Sequence, residues 1–344
     1  MYDTRIGASS TLGFRRYCGP SRKRSKVTTK PTIIGSERSE AGLAAGMTLL
    51  RQGASALDAV EATLRLCEDN LDDHYIGTGG LPNARGEVEL DASIMIGSSR
   101  AFGAVGAVRN FPHPISIARA VLEVLPQHCL LVGEGAELFA EEQGFDRTEL
   151  LTDEARRIYR QALLESSASI EGENTDAEPG DHAYRLAASE MVNRLSPHEG
   201  PWGTVNVIAL DEGGEIVVGV STSGYPWKYP GRVGDSSLPG CGNYSDVRFG
   251  GAACTGRGEL AMRVVGARLV VDGLARGLSP VDACSAMLRE AATLPDGYRS
   301  ELRTLCLTPD GRHGGAAGQR GSTYNVMTAS STSPEVFARV TLGN

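Results

Sequence analysis

Residues 203–224 read Gly-Thr-Val-Asn-Val-Ile-Ala-Leu-Asp-Glu-Gly-Gly-Glu-Ile-Val-Val-Gly-Val-Ser-Thr-Ser-Gly and carry the clearest secondary-structure signal in the chain. Two apolar, β-branched runs flank a short acidic turn with two glycines, a pattern typical of a β-hairpin. A three-residue loop at 212–214 places Thr222 opposite Thr204, with both hydroxyls on one face. A loop that differs by one residue places Ser221 there instead. In either register, a second hydroxyl group lies beside Thr204 at the open end of the hairpin.

The composition is typical of a globular enzyme with many turns. The chain has 344 residues, of which 41% are hydrophobic and 43 are glycine. At roughly 100–200 residues per domain, this length permits one large domain or two ordinary ones. No apolar run approaches the ~18 residues that a membrane-spanning helix needs, and the N-terminal region lacks the continuous apolar segment of a secretory signal. We therefore expect a cytoplasmic protein that does not act at a membrane.

Charge is distributed unevenly along the chain. The formal net charge is −8, yet residues 1–30 contain eight Lys or Arg residues and only one acid. The remaining residues therefore carry −15, and so acidic a body does not favour nucleic-acid binding, which requires an excess of cations. We interpret residues 1–30 as a basic, disordered extension, with a targeting arm as the alternative, and residues 31–344 as a single domain.

A second unusual stretch, residues 165–181, contains six acids and no Lys or Arg. Such a stretch cannot bury enough apolar surface to offset the entropy lost on ordering it. We therefore expect a mobile acidic linker on the surface of the domain.

The cysteine and histidine patterns give no sign of a disulfide framework or a metal site. The seven cysteines are odd in number and scattered, and they form no Cys-x-x-Cys pair or Cys/His cluster. We expect reduced thiols and no bound metal.

Hydrophobic periodicity predicts strands near both ends of the chain and a group of helices between them. The predicted strands besides the hairpin are residues 31–35, 88–95 and 101–109, with further strands near the C-terminus. The predicted helices are 39–66, broken at Gly53 with Ser55 as an N-cap, then 114–124, 134–143, 183–195, 259–273 and 281–292.

Short motifs follow one another in order along the chain. The downstream ones are Gly203-Thr204-Val-Asn-Val-Ile-Ala-Leu-Asp, Ser221-Thr-Ser-Gly, Pro230-Gly-Arg-Val-Gly-Asp-Ser, Gly240-Cys-Gly-Asn-Tyr and Cys254-Thr-Gly-Arg-Gly-Glu. The upstream ones are Gly53-Ala-Ser-Ala-Leu-Asp-Ala-Val-Glu, Gly77-Thr-Gly-Gly-Leu-Pro-Asn, Glu89-Leu-Asp-Ala-Ser-Ile-Met and Leu131-Val-Gly-Glu-Gly-Ala. Together they resemble the threonine-type N-terminal nucleophile asparaginases, a family that includes glycosylasparaginase, the plant-type L-asparaginases and the isoaspartyl peptidases.

The resemblance extends from about residue 31 to the C-terminus and implies an α+β fold. The family fold is a four-layer αββα sandwich of the N-terminal nucleophile hydrolase type. It also implies self-cleavage into an α-chain that ends at Gly203 and a β-chain of residues 204–344, and a dimer of these processed αβ units. The expected substrate is a small molecule, and no organic cofactor is expected.

In the family, the newly exposed threonine is both nucleophile and base, so the resemblance assigns this role to Thr204. A threonine hydroxyl is a weak nucleophile and needs a base within reach. Cleavage after Gly203 would create an α-amine with an unperturbed pKa of ~7.7–8, partly neutral at physiological pH. Thr222 would orient the Thr204 hydroxyl.

The resemblance also implies the substrate contacts. Arg232 would pair with the substrate α-carboxylate, a bidentate task suited to guanidinium. Asp235 would bind the α-ammonium group, and Thr255 with the Gly256 backbone N–H would form an oxyanion hole. These residues predict an autoproteolytic hydrolase of β-aspartyl amide bonds in L-asparagine, β-aspartyl dipeptides or glycosylated asparagine.

Two alternatives remain open at this stage, a true glycosylasparaginase and a non-catalytic relative that binds aspartyl-type ligands. Residues 35–39 lack the aromatic side chains that glycosylasparaginases carry at the matching place. Asn206 replaces a usual glycine, and Arg257 stands where a small or apolar residue is common. Arg257 either adds a second cation to the pocket or faces solvent.

Overall fold

The structure, a computed structural model, describes residues 29–167, 188–195, 203–297 and 301–342, and it has a mixed α+β fold with two sheets. The strands are β1 (Thr32–Ser36), β2 (Leu90–Ile96), β3 (Phe102–Val108), β4 (Leu130–Val132), β5 (Val205–Leu210), β6 (Ile216–Thr222), β7 (Asn243–Asp246), β8 (Gly250–Gly256), β9 (Leu302–Leu307), β10 (His313–Ala317), β11 (Thr323–Thr328), β12 (Glu335–Ala338) and β13 (Val340–Thr341). The helices are α1 (Glu40–Arg51), α2 (Ala56–Glu68), α3 (Pro114–Val124), α4 (Gly133–Glu142), α5 (Asp153–Ser167), α6 (Ala188–Leu195), α7 (Gly258–Val264), α8 (Gly266–Ala275) and α9 (Pro280–Ala292).

The β5–β6 hairpin occupies the centre of the larger sheet. The strand order is β12-β11-β1-β5-β6-β2-β3-β4 in the eight-stranded sheet and β13-β10-β9-β8-β7 in the five-stranded sheet. β5 and β6 pair antiparallel, with Val205 opposite Ser221 and Leu210 opposite Ile216. This register confirms the three-residue loop, and it continues to Thr204 opposite Thr222.

Alternate side chains of β1 and β5 belong to two different apolar clusters. Ile33 and Val207 belong to a cluster that includes residues of helices α1, α2 and α3. Ile34 and Ile208, which point the other way, belong to a cluster with Leu305 of the five-stranded sheet. Both faces of the central strands are therefore buried, which explains why their sequences are almost continuously apolar.

The five-stranded sheet shows the same alternation. Ala253 belongs to the cluster shared with the larger sheet. Its neighbours Ala252 and Cys254 instead pack with Val270 of α8 and Met287 of α9. The second face of this sheet is therefore covered by the C-terminal helices.

Several predicted helix boundaries agree closely with the structure. The helix predicted over 114–124 is Pro114–Val124, and Gly53, with a φ of 81°, separates α1 from α2. Ser55 caps α2 by accepting a hydrogen bond from the backbone N–H of Asp58 at 3.2 Å. The helical spacing of apolar residues predicted this element, and the Ser55 cap marked where it begins.

The single helix predicted over 259–273 is wrong. The chain forms α7 and α8 instead, because Val265 adopts a left-handed φ of 51° between them. A β-branched residue rarely adopts this conformation, so apolar spacing alone gives no sign of the break. Helix α5 has no counterpart among the predicted elements, although its Ala155, Tyr159 and Leu163 are spaced for one buried face.

Some sequence-based expectations fall largely outside the described residues. These are the basic extension up to residue 28, the start of the helix predicted over 183–195, and most of the acidic linker. Helix α5 reaches Ser167, so the first residues of the 165–181 stretch are helical. In the described part of the chain, every helix is too short or too polar to cross a membrane.

Candidate active site

A pocket lies at the open end of the β5–β6 hairpin. It is lined by Gly203, Thr204, Thr222, Gly224, Tyr225, Arg232, Gly234, Asp235, Ser236 and Gly256. Six of the seven site residues predicted from the sequence are in this set. Thr255, the seventh, is buried beside Gly256 at the end of β8.

The hydroxyl of Thr222 links the two residues of the predicted cleavage site. Thr204 Oγ1 donates to Thr222 Oγ1 at 3.4 Å. Thr222 Oγ1 lies 3.0 Å from the carbonyl oxygen of Gly203 and 3.3 Å from that of Tyr75, so its single proton has two possible acceptors. It also accepts a hydrogen bond from Gly224 N at 2.9 Å. One hydroxyl therefore contacts both the predicted nucleophile and the carbonyl that this nucleophile would attack.

Ser36, the last residue of β1, fixes the start of β5 from the other side. Its Oγ donates to the carbonyl oxygen of Thr204 at 3.0 Å and accepts from the backbone N–H of Asn206 at 3.0 Å. Thr204 is thus held between two neighbouring strands.

Gly203 lies where only glycine fits. A Cβ built on it would overlap Arg38 Nη1 and the Cβ and Cγ atoms of Tyr75. The missing side chain allows these two residues to pack directly against the backbone of the predicted cleavage site.

Glu259 holds the guanidinium of Arg232. Both Nε and Nη2 of Arg232 donate to Glu259 Oε1, at 3.1 and 2.7 Å. Arg257 pairs with Glu259 Oε2 at 2.8 Å and with Asp296 at 3.2 Å. Burial alone would raise the pKa of Glu259, but the two guanidinium groups outweigh it and hold the pKa below its usual value.

Arg257 occupies neither of the positions that the sequence left open. Its side chain is only 13% exposed and is absent from the pocket lining. It instead pairs with the carboxylate of Glu259, which holds Arg232.

Asp235 begins a 3₁₀ turn, Asp235–Ser237, and its carboxyl group is almost completely buried. Burial raises its pKa to about 7, against the opposing effect of Arg232. Near neutral pH, a ligand ammonium group would therefore favour the ionised form of this carboxyl.

Asn206 contacts the predicted oxyanion hole. It is fully buried, and its Nδ2 donates to the carbonyl oxygen of Cys254 at 2.9 Å and to Thr255 Oγ1. Because Thr255 Oγ1 accepts this bond, its own proton is directed elsewhere. Gly256, with a φ of 108°, follows in a conformation that favours glycine.

Carboxylates at the start of β2 hold the loop that carries Arg232. Gly231 N donates to Glu89 Oε1 at 3.0 Å, and Gly234 N donates to Asp91 Oδ2 at 3.0 Å. The two anchored N–H groups flank Arg232 on both sides.

Comparison with known proteins agrees with this geometry. A family model described as Asparaginase matches residues 21–332, which is most of the chain. The chain belongs to the asparaginase family. It is therefore an amidohydrolase, as the sequence motifs predicted.

Curated members of the asparaginase family resemble the chain over most of its length. It is 35% identical over 280 residues to N(4)-(beta-N-acetylglucosaminyl)-L-asparaginase of Mus musculus, which covers 79% of this chain and 80% of that protein. The protein of the same name from Elizabethkingia miricola is 34% identical, with 88% and 82% covered. Isoaspartyl peptidase/L-asparaginase of Bos taurus is 37% identical over 246 residues, with 71% of each chain covered.

Sequence reasoning missed several residues that this asparaginase-family site uses. Glu259 stands in a quoted motif without a role, and Asp91 is the one acid of β2, two positions after Glu89. Lys228 is buried, and its Nζ donates to the carbonyl oxygen of Glu89 at 3.0 Å. Burial lowers the pKa of this lysine, while Asp91 and Glu89 oppose the effect. These residues could have been found in the sequence as isolated charged residues within apolar strands and turns.

The described cysteines are free thiols. Within the described ranges, no three or more His, Cys, Asp and Glu side chains are grouped so that they could hold a metal ion.

Proposed function

We propose that this amidohydrolase cuts itself between Gly203 and Thr204 and then hydrolyses β-aspartyl amide bonds with Thr204 as its N-terminal nucleophile. The observation that carries the proposal is the Thr204 hydroxyl, 3.4 Å from that of Thr222, in one pocket with Arg232 and Asp235. The Arg232 guanidinium and the Asp235 carboxyl group, beside a hydroxyl, are complementary to an amino acid whose α-carboxylate and α-ammonium groups are both charged.

The proposed fold is the four-layer αββα sandwich of the N-terminal nucleophile hydrolases. Three separate apolar clusters support this: one between helices and the larger sheet, one between the sheets, and one between the smaller sheet and α8 and α9. We also propose that two processed αβ units form the dimer typical of the family. The mass of the native particle in solution tests this.

Self-cleavage begins when Thr204 Oγ1 attacks the carbonyl carbon of Gly203. The acyl group of Gly203 is transferred from the peptide nitrogen of Thr204 to its hydroxyl oxygen: the C–O bond forms, the C–N bond breaks, and the hydroxyl proton passes to the leaving nitrogen. Water then hydrolyses the resulting ester. Thr222 supports this step because its hydroxyl can donate to the Gly203 carbonyl oxygen at 3.0 Å. The product is a free α-amine on Thr204, with an unperturbed pKa of ~7.7–8.

Turnover uses the amine that cleavage creates. The neutral amine takes the Thr204 hydroxyl proton as Oγ1 attacks the β-carbonyl of the substrate, and it returns this proton to the leaving amine. Thr255 and the Gly256 N–H stabilise the oxyanion, and loss of one such donor typically lowers kcat ~10²–10³-fold. Water then hydrolyses the aspartyl ester and releases aspartate.

The charges of the pocket support an aspartyl group as the bound part of the substrate. Arg232 offers a guanidinium for the α-carboxylate, and Asp235 offers a buried carboxylate for the α-ammonium. The scissile amide is then on the β-carboxyl. The names of the relatives support the same bond type, with ammonia, an amino acid or an N-acetylglucosamine amine as the leaving group.

Sequencing the N-termini of the purified protein tests the proposal. We expect a fragment that begins Thr-Val-Asn-Val and contains 141 residues, together with hydrolysis of L-asparagine or β-Asp-Leu. Thr204→Ala should give intact protein without activity. Full activity in a preparation with no terminus at Thr204 would contradict the mechanism.

A further inference from the structure

Arg38 lies against the predicted cleavage site on the side of Thr204 opposite to Arg232. The strands β1, β5, β6 and β2 are neighbours in this order. Arg38 follows the end of β1, where Ser36 contacts Thr204 at the start of β5. The loop that carries Arg232 is bonded to β2, on the far side of β6. The nucleophile therefore lies between the two arginines.

Asp73 and Tyr75 hold the Arg38 guanidinium in place. Nη1 donates to Asp73 Oδ1 at 2.9 Å, and the guanidinium carbon lies 4.4 Å from the centre of the Tyr75 ring. Asp73 is buried and also accepts a hydrogen bond from Tyr75 N at 3.0 Å. The φ of Arg38 is 72°, a region that non-glycine residues rarely occupy unless their surroundings impose it.

This guanidinium is positioned but still accessible. The side chain of Arg38 is 32% exposed. Among the described residues, only its Nη1 donates a hydrogen bond, so Nε and Nη2 remain for a ligand. Arg232 is likewise held by a carboxylate, although it donates to Glu259 through both Nε and Nη2.

Self-cleavage would change what borders Arg38. In the uncut chain its Nη1 and the Tyr75 ring pack on the backbone of Gly203. When the new chain end at Gly203 moves away, the guanidinium borders the space beside the free amine of Thr204. Arg38 does not line the pocket of the uncut chain, but it packs against Gly203, which does. With the aspartyl half of a substrate on Arg232 and Asp235, the space that Gly203 vacates would be open to the leaving group.

We propose that Arg38 determines leaving-group specificity by binding the α-carboxylate of the amino acid released from a β-aspartyl peptide. The inference rests on the proposed function of this site. A guanidinium edge binds a carboxylate through two parallel hydrogen bonds. Ammonia released from asparagine and the amine of an N-acetylglucosamine have no carboxylate, so β-aspartyl dipeptides are the favoured substrate class.

The test compares three substrates on the processed wild-type enzyme: β-Asp-Leu, β-Asp-leucinamide and L-asparagine. Replacing the terminal carboxylate by an amide should lower kcat/KM about tenfold or more, the usual effect of losing a charge-assisted hydrogen bond. In Arg38→Gln, kcat/KM for β-Asp-Leu should fall by a similar factor, while the values for the leucinamide and asparagine change less than about twofold. Rates are divided by the amount of N-terminal Thr204, so that slower self-cleavage does not affect the comparison.

Arg248→Gln is the matched control. Arg248 also pairs with an aspartate, Asp246, and lies 4.9 Å from the ring of Phe249, but unlike Arg38 it is not among the neighbours of Gly203. This variant should leave all three rates unchanged.

The outcomes separate this inference from the proposed function. Equal kcat/KM for β-Asp-Leu and its amide in the wild type would overturn the role of Arg38 and leave β-aspartyl hydrolysis intact. Equal losses on all three substrates in Arg38→Gln would also overturn it, since they would indicate a purely structural role. A processed wild type that hydrolyses none of the three would instead contradict the proposed function.

Discussion

The hydroxyl oxygens of Thr204 and Thr222 lie 3.4 Å apart across the open end of the β5–β6 hairpin. Because Thr222 Oγ1 is also 3.0 Å from the Gly203 carbonyl oxygen, this single contact serves both proposed reactions. In the proposed mechanism, the Thr222 hydroxyl would polarise the Gly203 carbonyl in the uncut chain and would orient the nucleophile in the processed enzyme. The two reactions should therefore respond together when the contact is removed.

Thr222→Val keeps the shape of the side chain but removes its hydroxyl. We expect self-cleavage and turnover each to slow by about 10–100-fold, because both lose a hydrogen bond to a reacting group. Gel analysis after expression and kcat per N-terminal Thr204 measure the two effects. Thr48→Val on the exposed face of α1 is the control. A large effect on one reaction with none on the other would contradict the shared role.

Gly203→Ala should slow self-cleavage but leaves the β-chain, residues 204–344, identical to that of the wild type. The added Cβ overlaps Arg38 and Tyr75, so either these side chains or the backbone of the cleavage site must shift, which would disturb the alignment of the carbonyl with the Thr204 hydroxyl. Uncut chain should accumulate, while the fraction that is cut keeps the kcat of the wild type because its β-chain is identical. Gly135→Ala, where a Cβ meets nothing within 4 Å, should cleave normally. Wild-type cleavage of Gly203→Ala would show that this packing does not matter.

Arg232→Lys should raise KM for L-asparagine about tenfold or more with a smaller change in kcat. Lysine keeps the charge but loses the planar edge that binds a carboxylate through two bonds. Glu259 keeps its pair with Arg257, so the fold should survive the substitution. Steady-state kinetics measure the effect, with Arg248→Lys as the control variant. An unchanged KM would remove Arg232 from the substrate contacts.

Ligand binding should weaken as pH falls through about 7, because burial raises the pKa of Asp235 to about that value. The protonated carboxyl cannot pair with an ammonium group. Its ionised fraction falls about tenfold between pH 8 and pH 6, and the affinity for L-aspartate should fall with it. Succinate, which has the same carboxylates but no ammonium, should not show this loss in inhibition assays. Parallel pH profiles for the two ligands would exclude Asp235 as the ammonium site.

The sequence by itself determined the hairpin and the breaks that glycine and capping residues impose. Strand side chains alternate with a period of two and the turn decides which residues pair, so the sequence limited the partner of Thr204 to Thr222 or Ser221. The observed register selects the three-residue loop at 212–214 and therefore Thr222. These are local properties, decided by residues that are close together in the chain. The left-handed Val265 is the exception, because its surroundings override its own preference.

Only the tertiary structure decided which charged groups meet. Arg232 pairs with Glu259, 27 residues away, and Arg38 pairs with Asp73, 35 residues away. Arg38, which follows the end of β1, also packs against Gly203. The burial that raises the pKa of Asp235 likewise comes from several elements at once. Composition and periodicity report what a residue prefers locally. The partners of an ionised side chain depend on how separate elements pack, because its energy is set by the groups and solvent around it.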